Sequence, residues 1–144
     1  MKRARWIGVA ALLALATMMS WAQDMSSVAG AKEMCETFLQ LITEEDHEGA
    51  YGYLRSMKGI LDDVNLEKIQ QQNIEQAETI LSAYGPAIDF RLADEQVVAD
   101  SLLRMVYVVR RQKYIMRWKF IFYRPENTWS LASISYDDKL EELF

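Results

Sequence analysis

The side chains that could support chemistry are few: one His, one Cys, seven Tyr and scattered carboxylates in 144 residues. His47 stands between Asp46 and Glu48, neighbours that suggest a metal or proton-transfer cluster. Three consecutive side chains at a helix entry point in different directions, so a single site is hard to build from them. The pattern reads better as Asp46 capping a helix with His47 in a solvated turn. Cys35 falls on an apolar helical stripe and reads as a small buried hydrophobe, not a nucleophile. Asp62, Asp63, Asn65 and Glu67 lack the alternate-ligand spacing, central Gly and distal Glu of a calcium loop. The sequence contains no Gly-rich phosphate loop, nucleophile elbow or CxxC pair. It therefore assigns no catalytic residue, no metal ligand and no cofactor.

The elements that would position any site fall into two halves. Val28, Ala31, Cys35, Phe38, Leu39 and Ile42 recur at helical spacing. A short helix with Ala50, Tyr51 and Leu54 follows the acidic run Glu44-Glu45-Asp46. Asn65 reads as the N-cap of a long third helix with the stripe Leu66, Ile69, Asn73, Ala77, Ile80, Leu81 and Tyr84, stopping at Gly85-Pro86. After Pro86 the period changes to two. Ile88, Phe90 and Leu92 suggest one strand, residues 101 to 111 and 113 to 124 two long ones around a turn at Arg111-Gln112, and Thr128 to Tyr136 a fourth. The fold class is α+β, with N-terminal helices packed on a curved antiparallel sheet of about four strands. An acidic amphipathic tail, 137 to 144, is placed to dock Leu140, Leu143 and Phe144 back onto the domain.

With that turn, Val109 faces Tyr114, Tyr107 faces Met116, Met105 faces Trp118 and Leu103 faces Phe120, an apolar face for the helices to cover. From Leu103 to Phe122 this face has no ionisable side chain except two tyrosines. Tyr107, Tyr114, Trp118, Phe120, Phe122 and Trp129 are the candidates for lining a ligand pocket, with plain core packing as the competing reading. The opposite face is mixed. Arg104, Arg117 and Lys119 with Ile115, Ile134 and Tyr136 are candidate interface residues for a homodimer, and the cations have the chain's own acidic helices or tail as alternative partners.

Residues 104 to 124 hold seven Lys and Arg and no acid. Interleaved aromatics in such a segment suggest nucleic acid, but alternation puts nearly all of them on the face away from Arg104, Arg117 and Lys119. Residues 23 to 144 carry 13 basic and 21 acidic side chains, and a net negative charge opposes nucleic-acid binding. Residues 1 to 22 read as a Sec-type signal: Lys2, Arg3 and Arg5, an apolar run from Ile7 to Met19, and Ser20-Trp21-Ala22 before the expected cleavage. That implies a periplasmic or secreted single domain over 23 to 144, with helices to 86 and sheet over 87 to 136. No stable membrane anchor remains after cleavage. The alternative is an uncleaved anchor, because Trp6 to Gln23 is an uncharged run near the lower limit for a span.

The run from Trp118 to Pro125, then Trp129-Ser130-Leu131 and Ile134 to Asp138, resembles small exported bacterial members of the nuclear-transport-factor-2-like superfamily with no assigned activity. The resemblance implies a cone-shaped roll, an apolar pocket under the helices and a convex face that often dimerises. Enzymes of that superfamily, isomerase-like or dehydratase-like, place Asp, His or paired polar groups inside the cone, and this sequence departs from them there. The reading is a non-enzymatic exported domain binding a protein partner or a small apolar ligand. The alternative is a cone-pocket enzyme acting on a hydrophobic small molecule, with Tyr107 or Tyr114 as proton donor.

Overall fold

The computed structural model describes residues 24–57, 60 and 63–144. The expected signal segment and Asp62 lie outside the described residues. Three helices, α1 (Val28–Thr43), α2 (His47–Ser56) and α3 (Asp63–Tyr84), precede four strands, β1 (Ala87–Val98), β2 (Leu102–Arg111), β3 (Ile115–Tyr123) and β4 (Ser130–Asp137). The strands form one antiparallel sheet in the order β1-β2-β3-β4. The protein is thus an α+β chain, with its helices first and its sheet second.

Local chemistry sets the helix ends. Ser27 caps α1 by accepting from the Gly30 N–H at 3.0 Å, and a Cβ on Gly30 would collide with the Asp24 carbonyl. At the other end the Glu45 N–H reaches Ile42 O and the Asp46 N–H reaches Leu41 O, both at 3.0 Å. This is the paired closure of a Schellman motif, whose left-handed position usually holds glycine. Here it holds Glu45, at φ 59°. Asp46 then caps α2 through the Gly49 N–H at 2.9 Å. Gly85, at φ 78°, ends α3 before Pro86. Asn65 is not the cap of α3, because the helix starts two residues earlier at Asp63 and takes Asn65 into its first turn.

The β2–β3 hairpin differs from its expected register by two residues. Leu103 faces Phe122, Met105 faces Phe120, Tyr107 faces Trp118 and Val109 faces Met116. The turn is Gln112-Lys113, because Gln112 N–H bonds Pro86 O and Lys113 N–H bonds Tyr84 O. The end of α3 therefore holds the turn one residue later than alternation alone implied, and Arg111 becomes the last inward residue of β2. Face identity survives, since a shift of two preserves parity.

The strands at the edges also differ from expectation. β1 runs on to Val98, and a register shift between Ala87 and Asp89 leaves Ile88 60% exposed. β4 starts at Ser130 and not at Thr128. The tail does not dock through its apolar residues: Leu140 and Phe144 are exposed. It is held by Glu142, which accepts from Arg117 at 3.1 Å, while Leu143 helps to line a cleft on the outer face of the sheet.

The core lies between the helices and the inner face. Phe38 is its hub, edge-on to Tyr51 at 5.2 Å, Trp118 at 5.4 Å and Phe120 at 5.8 Å. Each such side chain stabilises by about 1.5–3 kcal/mol through burial, and each ring pair adds about 1. Cys35 is fully buried with its Sγ 4.0 Å from Met105 Sδ. Burial pushes its thiol well above the usual range, which leaves it unreactive.

Candidate functional site

The aromatic side chains of the inner face fill it. Tyr107, Trp118, Phe120, Phe122 and Trp129 are each at most 2% exposed. Tyr107 meets Phe90 at 6.1 Å and Phe120 at 6.0 Å. Its hydroxyl donates to Glu36 Oε1 at 3.4 Å, and burial raises its pKa well beyond the phenol range. Trp129 lies under the Arg124 guanidinium, 4.5 Å from the ring centre. Tyr114 is on the surface at the hairpin turn, 39% exposed, against Tyr84 at 5.4 Å.

The expected interface set divides between the two faces. Ile134 pairs with Phe120 and is buried. Tyr136 pairs with Trp118 and stacks on it at 4.7 Å. Both therefore belong to the helix side, because the β3–β4 register aligns them with inward residues of β3. Arg104, Ile115, Arg117 and Lys119 are on the outer side. Arg117 is 8% exposed and is satisfied within the chain by Asp137 at 2.7 Å and by Glu142. Its hydrogen bonds hold the Asp137 carboxyl below the usual range. Arg104 pairs with Asp94 at 2.6 Å. Asp89 is bound by Arg110 through two 2.6 Å contacts, and that contact holds its pKa at about 2.

Open space on the helix side lies at its flank. The C-terminal half of α3 and the β3–β4 strands bound a groove of about 290 Å³, near the lower end of ligand pockets, roughly 300–1,000 Å³. Ile80 and Met116 form its apolar floor, and Thr79 and Ala83 stand on the α3 wall. Two phenols cross from one wall to the other. Tyr84 donates to Asp138 Oδ2 at 2.6 Å, and Tyr136 donates to Gln76 Oε1 at 2.8 Å. The bond to Asp138 raises the Tyr84 pKa. At the groove's edge Arg117 neutralises Asp137, while the Asp138 carboxylate accepts from the neutral Tyr84 hydroxyl.

Behind the groove runs a chain of polar side chains. His47 is not in a solvated turn: its side chain is 12% exposed. Its Nε2 is 3.2 Å from Glu45 Oε2 and its Nδ1 is 2.9 Å from Asn73 Oδ1. Asn73 is itself buried. Glu45 also accepts from Arg111 Nη1 at 3.0 Å, and the same nitrogen donates to Gly85 O at 3.0 Å. Burial raises the pKa of Tyr136. The inner face therefore does carry an ionisable side chain besides tyrosines, Arg111, placed there by the shifted turn. Asn73, a polar residue on an apolar stripe, was the signal in the sequence. Arg111 and Glu45 gave none, since their roles depend on the turn and on a left-handed backbone.

Among the described residues no group of three or more His, Cys, Asp or Glu is arranged to hold a metal ion. No described helix is long and apolar enough to cross a membrane. No family model, curated protein or solved structure matches the chain. Fold and groove together define an α+β domain with a small apolar recess.

Proposed function

We propose that the chain is an exported, non-enzymatic binding domain of the cone-shaped nuclear-transport-factor-2-like kind, and that the groove beside α3 takes a small apolar ligand. The observation that carries this reading is the groove itself: an apolar floor of Ile80 and Met116 between two fixed phenols. Export rests on the signal pattern of residues 1 to 22, and the family on the sequence resemblance. The space fits a molecule of about ten non-hydrogen atoms, taking roughly 30 Å³ for each water-sized unit. Acetophenone is a suitable probe, and an affinity in the millimolar range is the scale for a fragment of about nine such atoms. Ala83 is exposed on the groove wall, so Ala83→Phe fills the space without touching the core. Calorimetry should show binding to wild type and a loss of about tenfold or more in Ala83→Phe. Equal binding by both proteins removes the groove from the proposal.

A second reading, homodimerisation through the outer face, draws on one row of side chains. Val98, Leu102 and Tyr123 are cross-strand neighbours, each more than 40% exposed. The same face carries both charges in Arg104 and Asp94, as a self-complementary twofold contact requires. Leu102→Asp with Tyr123→Asp should convert a dimer to a monomer in sedimentation velocity. A wild-type protein that sediments as a monomer at high concentration contradicts this reading.

A further inference from the structure

We propose that the occupant of the groove beside α3 is an organic amine, with its apolar body on Ile80 and Met116 and its ammonium against the Asp138 carboxylate. This inference rests on the groove reading and adds to it the charge of the ligand.

Charge pairing around the sheet singles out Asp138. Asp89, Asp94 and Asp137 are each met by a guanidinium, from Arg110, Arg104 and Arg117 in turn. Asp138 is met by a phenol: its Oδ2 accepts from Tyr84 at 2.6 Å. Among the described residues its Oδ1 has no hydrogen-bond partner. A separation of 2.6 Å is that of a hydroxyl donating to an ionised carboxylate, and a neutral donor leaves the charge in place. The neighbouring Lys139 does not supply a cation, because its Nζ lies 3.8 Å from Glu142 Oε1. Among the described residues that line the groove there is no Lys, Arg or His.

The surroundings of Asp138 fit an amine with an apolar body. The bond from Tyr84 ties the carboxylate to the last residue of α3, so its position across the groove is set before a ligand arrives. Tyr84 and Tyr136 both line the groove, and phenol rings attract cations that come within about 6 Å of their centres. Ile80 and Met116 are 9% and 5% exposed and supply the apolar floor. An anionic ligand would meet the Asp138 charge with nothing to offset it, and a neutral one leaves that charge unused. Residues 23 to 144 carry 13 basic and 21 acidic side chains, a balance that draws cations towards the protein. Asp138 is exposed, so the pair contributes selectivity more than affinity, at most about fivefold.

Three probes test the assignment: 2-phenylethylamine, 2-phenylethanol and phenylacetate. They share a phenyl body of similar size, about nine or ten non-hydrogen atoms in all, and are cationic, neutral and anionic at neutral pH. Calorimetric titration of the wild-type protein at low salt should rank them amine, alcohol, acid, with the amine about fivefold tighter than the alcohol. Asp138→Asn keeps an oxygen for the Tyr84 bond but loses the charge. In that variant the amine should bind no better than the alcohol, and the alcohol should bind as it does to wild type. Salt gives the same readout without a variant: at about 0.5 M the wild-type preference should fall below about twofold. Ala83→Phe, which fills the groove, should weaken amine and alcohol alike and so separates the groove from other surface carboxylates. An amine that binds wild type no more tightly than the alcohol overturns the inference, as does a preference that persists in Asp138→Asn. Amine binding untouched by Ala83→Phe also overturns it. If the alcohol binds and is lost in Ala83→Phe while the amine shows no preference, the groove reading stands and the charge assignment falls. If none of the three probes binds, the groove reading itself fails.

Discussion

Phe38→Ala should lower the free energy of unfolding by about 4 kcal/mol, the scale for removing a fully buried aromatic ring from a close-packed core. Phe38 has no exposed surface and meets three other rings edge-on. Those rings come from α2 and from β3, so one side chain joins both halves of the molecule to α1. The cavity left cannot close easily, because Trp118 is fixed by stacking on Tyr136 and Phe120 is paired in the sheet with Met105. Urea denaturation of wild type and variant measures the difference. A loss below about 1.5 kcal/mol, the scale of a volume-conserving change, would contradict the placement of Phe38 as the hub.

The second large effect concerns Glu45 and Arg111, and its direction is asymmetric. Glu45→Gly relieves a left-handed backbone that costs a non-glycine residue about 1 kcal/mol, yet it should destabilise the protein by a net ~2 kcal/mol. The reason is the Arg111 side chain, which is 4% exposed and would lose its carboxylate partner. Breaking a buried pair from one side costs about 3–5 kcal/mol because a charge is left without compensation. Arg111→Met leaves behind a carboxylate that is 32% exposed, so water takes over part of its solvation and the loss should be smaller, about 1–2 kcal/mol. The double variant should lose less than the sum of the two single losses, by a coupling of about 1 kcal/mol or more in a double-mutant cycle. If the two single changes simply add, Glu45 and Arg111 do not stabilise each other and the left-handed Glu45 has lost its explanation.

The parts of the fold that follow from local pattern were legible in the sequence. The stripe of α1, the Asp46 cap, the stop at Gly85-Pro86 and the change of period after it each depend on a few adjacent residues. The parity of β2 and β3 was legible for the same reason, and it put Leu103, Met105, Tyr107 and Val109 under the helices. The hairpin turn was not, because Gln112 and Lys113 are held by carbonyls of Pro86 and Tyr84, contacts that exist only once α3 is packed. That shift moved Arg111 from a turn into the interior. The side of β4 that Ile134 and Tyr136 occupy likewise depends on a register that no tight turn fixes. The groove falls where α3 leaves the sheet at its flank, and its floor residue Met116 looked like any other inward side chain. Residues whose roles come from two packed elements at once, such as His47 between Glu45 and Asn73, carry no signature in a linear reading.

The central claim is that the inner face is filled by the protein's own aromatic side chains and that ligand space lies beside α3. ¹³C-methyl labelling of methionine and isoleucine tests it directly, with acetophenone titrated into the folded protein. The expected result is a saturable shift of the Met116 and Ile80 methyls, while Met34, Met105 and Ile42 in the deep core stay in place. Shifts centred on Met34 and Met105, or none at Met116 and Ile80 while the probe is in the millimolar range, would contradict it.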